Sequence, residues 1–351
     1  MNKKILFVAM AAAVTTSCQL SQESKNVKVQ TDAIVSEAKI DLEHFDILNI
    51  SRFVTANDVL VAQNINDEKE YSFLQLQPDS ISFKAIAVGQ GPQDISRFSC
   101  LTCYNDTPYI IDMINKNVYK INIDAVNKTA QIEYYAKYPY MLMAMTTHIV
   151  DNYRYITSTH NDSCLFMYCD TAGNIISSIP YPEESEISKY PAASQSTIWG
   201  SSRIEVSPDN KKVVAAYRCE GIMLFCSLDD EKLQIVKKEV KKELCHVNNI
   251  DIMGHIITAS TDVEYVFSSA SINDKYVALL YSGQPKDERK KNPKTKEILL
   301  YTWSGDLVWR LQPDVDIETM YYSHDMKRLY ALTKEPEAMI HVYDIEKYVN
   351  E

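Results

Sequence analysis

The chain has 351 residues, carries a net charge of −11, and combines 23 tyrosines with only 8 glycines. This acidic balance argues against a general role in binding nucleic acid or anionic membrane surfaces. A Cys100-x-x-Cys103 pair is present, but no second pair lies at zinc-ribbon spacing. Because positions three apart on a strand point to opposite faces, the pattern favours small buried cysteines over a redox or metal role. We expect no cofactor and no metal.

The first residues have the features of an export signal. Two lysines precede the apolar run Ile5–Val14, and three small or polar residues then lead to Cys18. The run is too short to span a bilayer, and no later apolar run is long enough to do so. The small residue before Cys18 resembles the lipobox of bacterial lipoproteins, with Thr15 where leucine is usual. In such a box Cys18 carries the lipid.

This interpretation predicts a signal peptide at 1–17, a lipidated tether at 18–30 and a folded domain at 31–351. Cleavage moves the net charge from −11 to −13, because the signal holds two lysines and no acids. Gln19 after the cysteine resembles outer-membrane sorting signals, which predicts an outer-membrane lipoprotein of the cell envelope, facing the periplasm or the surface. Ordinary secretion, with Cys18 discarded or free, is the alternative.

A hydrophobic stretch, an Asn/Asp turn and a second hydrophobic stretch recur along the domain. The fifth copy includes Tyr276–Tyr281 and is followed by Ile298–Trp303, and both are apolar on both faces, as in strands packed between two sheets. Successive turn acids are 48, 45, 58, 65 and 51 residues apart. That period is typical of an all-β propeller of six four-stranded antiparallel blades, with seven blades as the weaker alternative. The turn acids are Asp58, Asp106, Asp151, Asp209, Asp274 and Asp325.

The fourth copy can be written as four strands from the axis to the outer edge, starting at Arg203–Val206 and ending at Lys232–Val240. The sixth copy ends after three strands, at Met339–Asp344. We expect a segment from roughly Val27–Leu48 to supply its outer strand, which would close the ring and remove a free edge. Apart from a possible turn near Ala33–Leu48, no helix is predicted outside the signal.

Two stretches carry a family resemblance. Ala87–Phe98, AVGQGPQDISRF, resembles a G-x-G-P-G-E-Phe/Tyr motif, and the pieces KYVALLYSG, ILLYTWSGDLVWRL and LYAL resemble late blades of the same family. The chain is thus similar to TolB-like six-bladed propeller lipoproteins of Bacteroides-type bacteria. Gln93 and Asp94 stand where the family tends to have Gly and Glu, which concerns the local turn. The resemblance implies no catalytic residues.

The connections predict two unlike ends of the ring. Turns from the first to the second strand and from the third to the fourth are short. The long connections Gly89–Arg97, Pro182–Thr197, Lys241–Asp262 and Gly283–Lys296 all fall at the opposite end, which we call the long-loop face. Long loops in a compact domain are commonly functional, although joints between blades also tolerate insertions. The last of these loops is basic and is either an interaction loop or a solvated hairpin tip. Its cations are Lys286, Arg289, Lys290, Lys291, Lys294 and Lys296.

Catalytic motifs are weak, and no nucleophile elbow, phosphate loop or calcium loop is present. Inner strands around the channel offer the candidate residues His148, Arg203 and Glu205, although polar residues lining a channel are also normal. We therefore predict a non-catalytic binding or scaffold protein of the envelope whose partner is an unknown envelope protein or glycan. The alternative is a hydrolase or lyase acting on saccharides at the channel mouth. A third reading is an envelope sensor whose ligand spans several blades.

Overall fold

Two hydrophobic stretches around an Asn/Asp turn fold, in each repeat, into a pair of antiparallel strands. In the first two repeats the turn residues Asn57-Asp58 and Asn105-Asp106 all have positive φ, between 46° and 61°. A two-residue hairpin turn with the right-handed twist of a sheet requires this conformation, and Asn and Asp tolerate it. Such turns explain how a chain poor in glycine forms so many hairpins.

The computed structural model describes most of the folded domain and omits several connections. It covers residues 29–47, 49–64, 69–76, 82–96, 98–138, 146–158, 164–180, 203–217, 221–241, 247–252, 255–260, 266–282, 284, 296–323, 327–334 and 336–350. The signal peptide and most of the tether predicted from the sequence therefore lie outside the described residues. No helix in the part of the chain that is described is long and apolar enough to cross a bilayer.

The chain begins with two strands and a 3-10 helix, then forms blades from their inner to their outer strands. The N-terminal elements are β1 (Gln30–Ile34), β2 (Ala38–Asp41) and the 3-10 helix Glu43–Phe45. Blade 1 contains β3 (Ile50–Ala56), β4 (Val59–Asn64), β5 (Lys69–Gln75) and β6 (Ser82–Ala87). Blade 2 contains β7 (Ser99–Tyr104), β8 (Thr107–Asp112), β9 (Asn117–Asp124) and β10 (Thr129–Lys137). Blade 3 contains β11 (Thr146–Ile149), β12 (Arg154–Ser158), β13 (Phe166–Asp170) and β14 (Ile175–Ile179).

The second half of the ring repeats this plan and adds a hairpin and a final helix. Blade 4 contains β15 (Arg203–Val206), β16 (Lys212–Ala216), β17 (Ile222–Leu228) and β18 (Leu233–Val240). The hairpin consists of β19 (Val247–Ile252) and β20 (His255–Ser260). Blade 5 contains β21 (Phe267–Ile272), β22 (Tyr276–Tyr281), β23 (Glu297–Thr302) and β24 (Leu307–Pro313). Blade 6 contains β25 (Thr319–Tyr322), β26 (Arg328–Thr333) and β27 (Met339–Asp344), and the helix α1 is Glu346–Asn350.

Buried apolar side chains lie between the blades. The described core divides into six clusters, one between each pair of neighbouring blades, including the pair formed by blades 6 and 1. Both faces of a central strand such as β22 therefore meet another sheet, and five of its six residues are buried. The inner strands contact each other in order around the ring. The six-bladed propeller predicted from the sequence is confirmed.

The N-terminal segment closes the ring as predicted. β2 pairs antiparallel with β27 and supplies the fourth strand of blade 6. β1 pairs parallel with β24 and adds a fifth strand to blade 5, which the sequence did not indicate. Asp314, just after β24, accepts hydrogen bonds from the Ser36 hydroxyl at 3.2 Å and from the Tyr343 hydroxyl at 2.7 Å. One short segment thus joins blades 5 and 6.

Two described elements differ from the sequence prediction. The connection Lys241–Asp262, expected to be a long loop, contains the hairpin β19–β20. The chain also ends in the helix α1, where the last blade was expected to be the final element. α1 is tied to β1, because Lys347 Nζ and the Tyr348 hydroxyl donate to Asp32 at 2.8 and 2.7 Å. Of the two, α1 is held by a distant part of the chain, whereas the recorded pairing of β19 is with β20, its neighbour in sequence.

Candidate functional site

The inner strands place alternate polar side chains around the axis. Arg203 and Glu205 are partly exposed on β15, whereas the residues after each of them are buried. Thr319 and Tyr321 show the same alternation on β25. Both faces of a blade pack on neighbouring blades, and the partly exposed residues of the inner strands are those that border the channel. These positions form the candidate site.

Two arginines lie at the same height in the ring. Arg52 on β3 precedes the turn residue Asp58 by six positions, and Arg203 on β15 precedes Asp209 by six positions. Each arginine also stands four residues before the pair that closes the following turn, Ala56–Val59 in blade 1 and Ser207–Lys212 in blade 4, so the two lie at similar heights. Both residues lie near the start of their strands, at the long-loop face. They belong to blades 1 and 4, which are opposite each other in a ring of six.

The two arginines are held by different partners. Arg52 Nη1 donates a hydrogen bond to the Cys100 thiol of blade 2. Arg203 Nε donates to the backbone carbonyl of Ser268 in blade 5 at 3.0 Å. Both guanidinium groups are therefore fixed by the neighbouring blade. The thiol is a weak, uncharged acceptor, so it satisfies one N–H of Arg52 without neutralising its charge.

His148 and Glu205 form the closest titratable pair in the channel. His148 Nδ1 lies 3.7 Å from Glu205 Oε2, and their side chains are 15% and 22% exposed. Burial, with the nearby charges of Arg52 and Arg203, lowers the pKa of His148 from 6.5 to about 3. Burial raises the pKa of Glu205 from 4.5 to about 8, although the same two arginines act against this rise.

These opposite shifts determine where the proton of the pair resides. The 3.7 Å separation suits an ion pair, but it is longer than an ordinary hydrogen bond. Both pKa shifts favour neutral imidazole and protonated carboxyl at neutral pH, so we describe the contact as a neutral pair rather than a salt bridge. The positive charge of the described channel then comes from the arginines.

Two further titratable groups near the axis, Cys103 and Tyr321, are also uncharged. Burial raises the pKa of Cys103 from 9.0 to about 12, and it raises the pKa of Tyr321 well above 10.0. The Cys103 thiol donates to the Thr55 carbonyl of blade 1 at 3.8 Å. A thiol with a raised pKa is a poor nucleophile at neutral pH. Cys103 therefore has a structural environment rather than a reactive one.

The predicted cysteine geometry agrees with the described structure. Cys100 packs in the core between blades 2 and 3, whereas Cys103 packs against the core between blades 1 and 2. The five described cysteines are free. Among described residues, no group of three or more histidine, cysteine or carboxylate side chains is arranged to hold a metal ion. The described channel residues do not offer a metal centre.

The Gly-x-Gly loop predicted at the long-loop face is closed by a side chain of its own. Gly91 N donates to Asp94 Oδ2 at 2.7 Å. A Cβ placed on Gly89 would clash with the same oxygen, so a side chain at this position would require the Asp94 carboxylate to move. Asp94 thus stabilises the turn in which it replaces the residue usual in the family. Gln93 Oε1 reaches blade 2 and accepts from Ile132 N at 3.1 Å.

The basic loop predicted to be an interaction site divides into two parts. Lys286, Arg289, Lys290, Lys291 and Lys294 lie outside the described residues. Lys296 does not belong to an exposed patch, because its side chain is only 4% exposed. Its ammonium group donates to the Ile317 carbonyl at 2.8 Å and contacts Glu318 Oε1 at 3.3 Å. Lys296 is a structural link between blades 5 and 6, which corrects its assignment to the interaction loop.

The structure brings all three channel candidates predicted from the sequence, His148, Arg203 and Glu205, into one region. Sequence reasoning missed Arg52, which lies on the opposite blade and bears on the pKa of both His148 and Glu205. The sequence repeat does contain a pattern that could have identified Arg52. Arg52 has the same offset from its turn acid as Arg203 has, so aligning the repeats by their turns would have paired the two residues.

The chain was compared with curated proteins, solved structures and protein-family models. No curated protein matches the chain. The crystal structure of the β-propeller domain of Cps50 (Swd1) from Myceliophteria thermophila is similar at 10% identity, with a TM-score of 0.44 and 84% of each chain covered. This likeness is too weak to bear on blade number or function. The model of the family described as TolB-like 6-blade propeller-like matches residues 51–325. The chain therefore belongs to the TolB-like six-bladed propeller family.

Proposed function

We propose that the protein is an exported, lipid-anchored binding protein of the cell envelope, without catalytic activity, whose ligand enters the channel from the long-loop face. The observation that carries this proposal is the make-up of the channel mouth. It contains two arginines fixed by neighbouring blades and only one carboxyl-imidazole pair among its described residues. Hydrolysis of glycosides commonly uses two carboxyl groups at defined separations, and the described channel lining offers one.

The anchor and location are part of the same proposal. The sequence Thr15-Thr16-Ser17-Cys18 and the following Gln19 favour a lipoprotein of the outer membrane, as in the Bacteroides-type members that the chain resembles. Metabolic labelling with a palmitate analogue tests this. We expect label on the wild-type protein and none on Cys18→Ala, with the wild type recovered in the outer-membrane fraction. An unlabelled wild type would contradict the anchor.

The binding role is tested by the fate of bound compounds. Purified protein is incubated with envelope glycans and small metabolites, separated from free compounds, and its bound material is identified by mass spectrometry. We expect at least one compound to be retained and released with unchanged mass. Repeated recovery of a cleaved or dehydrated product would instead support an enzyme. Retention of no compound by the folded protein would contradict the proposal.

The second candidate, a hydrolase or lyase acting on saccharides, has one observation in its favour. His148 and Glu205 are close, buried and perturbed in opposite directions, a pattern that general acids and bases often show. Glu205→Gln separates the two candidates. An enzyme that uses this carboxyl would lose product formation, whereas a binding protein would release the same unchanged compounds from variant and wild type.

A further inference from the structure

The channel mouth differs in charge from the rest of the molecule. The chain as a whole has a net charge of −11. At the mouth, however, Arg52 and Arg203 are accompanied by a single described carboxyl group, Glu205, whose burial opposes ionisation. Charges that are partly shielded from solvent by surrounding protein act more strongly than charges in bulk water. This region is suited to attract an anion into an otherwise acidic protein.

Arg52 gives the most direct indication of a missing anionic partner. Its guanidinium is partly buried, and the hydrogen bond that the structure records goes to the neutral Cys100 thiol. Among the described residues no carboxylate lies within ion-pair distance of it. A partly buried charge without a counter-charge is costly, and an anion that accepts its remaining N–H groups would offset that cost.

Arg203 contributes from the opposite side. Its Nε is occupied by the Ser268 carbonyl, which fixes the plane of the guanidinium group. Because blades 1 and 4 face each other and the two arginines lie at equal heights, a ligand on the axis can be approached by both. Guanidinium groups bind planar carboxylates and phosphates through paired N–H donors, a geometry that a lysine cannot reproduce.

We propose that the mouth of the axial channel binds a compact oxyanion, a carboxylate or phosphate group of a small ligand, between Arg52 and Arg203. This inference rests on the proposed function and names the chemical class of its ligand. The neutral His148 lies beside the same site and provides an uncharged polar neighbour. Neither the five loop cations that lie outside the described residues nor a metal is required.

The test compares anionic and neutral probes by titration calorimetry on the whole mature protein. The probes are glucuronic acid, glucose 1-phosphate, inorganic phosphate and neutral glucose. We expect at least one anionic probe to bind about tenfold or more tightly than glucose, since hydrogen bonds to charged groups contribute about 1.5–3 kcal/mol each. The preference between carboxylate and phosphate probes identifies the group. Equal binding of glucose and all anions, or binding of none, would overturn the inference.

Variants assign the binding to the arginines. Arg52→Gln is expected to weaken the anion by about tenfold or more, and Arg203→Gln to weaken it similarly. Lys84→Gln is the matched control, because it removes one positive charge from β6, where Lys84 pairs with Asp46 away from the axis. The control should bind as the wild type does. Undiminished binding by both arginine variants would refute the assignment.

A second variant and a second ligand distinguish loss of anion binding from misfolding and from failure of the proposed function. If Arg52→Gln does not fold, as judged by circular dichroism, Arg52→Lys keeps the charge but loses the paired donors, and it should still weaken the anion. Failure of this inference is distinguishable from failure of the proposed function. A neutral envelope glycan retained equally by wild type and arginine variants would preserve the binding role and reject the oxyanion, whereas retention of nothing would reject both.

Discussion

Blade 4 and blade 6 have the same four-stranded arrangement but are assembled from different parts of the chain. Blade 4 is continuous from β15 to β18, so each strand pairs with its neighbour in sequence. Blade 6 takes its outer strand, β2, from the start of the domain, about three hundred residues before β27. Pairing over such a distance must overcome a larger loss of chain entropy than a hairpin does. We infer that the seam formed by blades 5 and 6 is completed late in folding.

The two blades are also stabilised differently. In blade 4, Phe225 is fully buried and packs against Tyr301 of blade 5 with ring centroids 5.8 Å apart. At the seam, buried apolar residues are joined by a polar network in which Asp314 holds Ser36 and Tyr343. Hydrophobic packing is non-directional, whereas hydrogen bonds fix a single register. The network thus determines the position at which the N-terminal segment, which is distant in sequence, pairs with blades 5 and 6.

The largest effect is expected from removing the closing strands. A chain that begins at Leu42 lacks β1 and β2, which form five and four residue pairs with β24 and β27. We expect a loss on the order of 5 kcal/mol or more, at about 1 kcal/mol for each lost hydrogen bond, together with aggregation through the exposed edges. Thermal unfolding and size-exclusion chromatography measure both.

The control for this truncation is a chain that begins at Val29. It retains every described strand and should unfold at the temperature of the longer mature protein. If the two truncated chains were equally stable and monomeric, the closing segment would not be needed for the ring, and the contrast between blades 4 and 6 would be lost.

Within blade 4, Phe225→Ala is expected to cost about 3–5 kcal/mol, the usual range for removing a large buried ring and leaving a cavity. Urea denaturation measures the change. The matched substitution at the seam is Tyr343→Phe, which keeps the buried ring and removes only the hydroxyl bonded to Asp314. It should cost about 0.5–1.5 kcal/mol. A larger loss for Tyr343→Phe than for Phe225→Ala would reverse our account of the two blades.

Asp314→Ala tests the polar network itself. The change leaves Ser36 and the Tyr343 hydroxyl without this acceptor, and we expect a cost of about 1–3 kcal/mol in the free energy of unfolding. The counterpart in blade 4 is Asp209→Ala, which removes a turn carboxylate that accepts from Ser207 at 2.6 Å and Lys211 N at 3.1 Å. Hydrogen exchange should show opening of β1 and β2 in the first variant only. Protection of both strands in Asp314→Ala would argue against a docking role.

A further effect on stability is expected at the inner edge of blade 4, and it depends on pH. Because the pKa of Glu205 is raised from 4.5 to about 8 in the folded state, its contribution to stability is fully present below pH 4.5 and is lost as the pH rises through about 8. Glu205→Gln resembles the protonated carboxyl and does not titrate. We therefore expect the variant to gain in melting temperature relative to the wild type between pH 4.5 and pH 8.

Parallel melting curves in a pH series provide the measurement. His148 has the opposite linkage: with its pKa lowered from 6.5 to about 3, its contribution is present above pH 6.5 and lost as the pH falls through about 3. The difference between wild type and Glu205→Gln isolates the carboxyl from the histidine. A difference that stays constant from pH 4.5 to pH 8 would show that Glu205 is ionised in the folded protein.

Much of the fold could be predicted from the sequence because it depends on local residue patterns. The Asn57-Asp58 turn, the two-sided apolar strand β22 and the four strands of blade 4 depend on residues next to each other in the chain. The N-terminal origin of the outer strand of blade 6 could also be predicted, because the last repeat contains only three strands. The pairing of β1 with β24 was not, since no pattern in Gln30–Ile34 identifies a parallel partner.

The candidate site was readable only in part. His148, Arg203 and Glu205 could be placed on inner strands by counting, which puts them near the axis. Lys296 was wrongly grouped with the other loop cations, because sequence shows a run of charges but not the carbonyl of Ile317 that receives one of them. A lysine at the start of a strand is indistinguishable in sequence from a lysine in the loop before it.

The sequence by itself determined the repeat and its turns, favoured six blades over seven, and indicated the strand that the last blade takes from the start of the domain. Hydrophobic alternation and turn chemistry act over a few residues, which is why these features could be predicted. Only the tertiary structure decided which side chains meet. Arg52 and Arg203 are about one hundred and fifty residues apart in the chain and face the same channel because six blades must close around one axis. Closure is a property of the whole ring, and it brings arginines from two opposite blades to one candidate site.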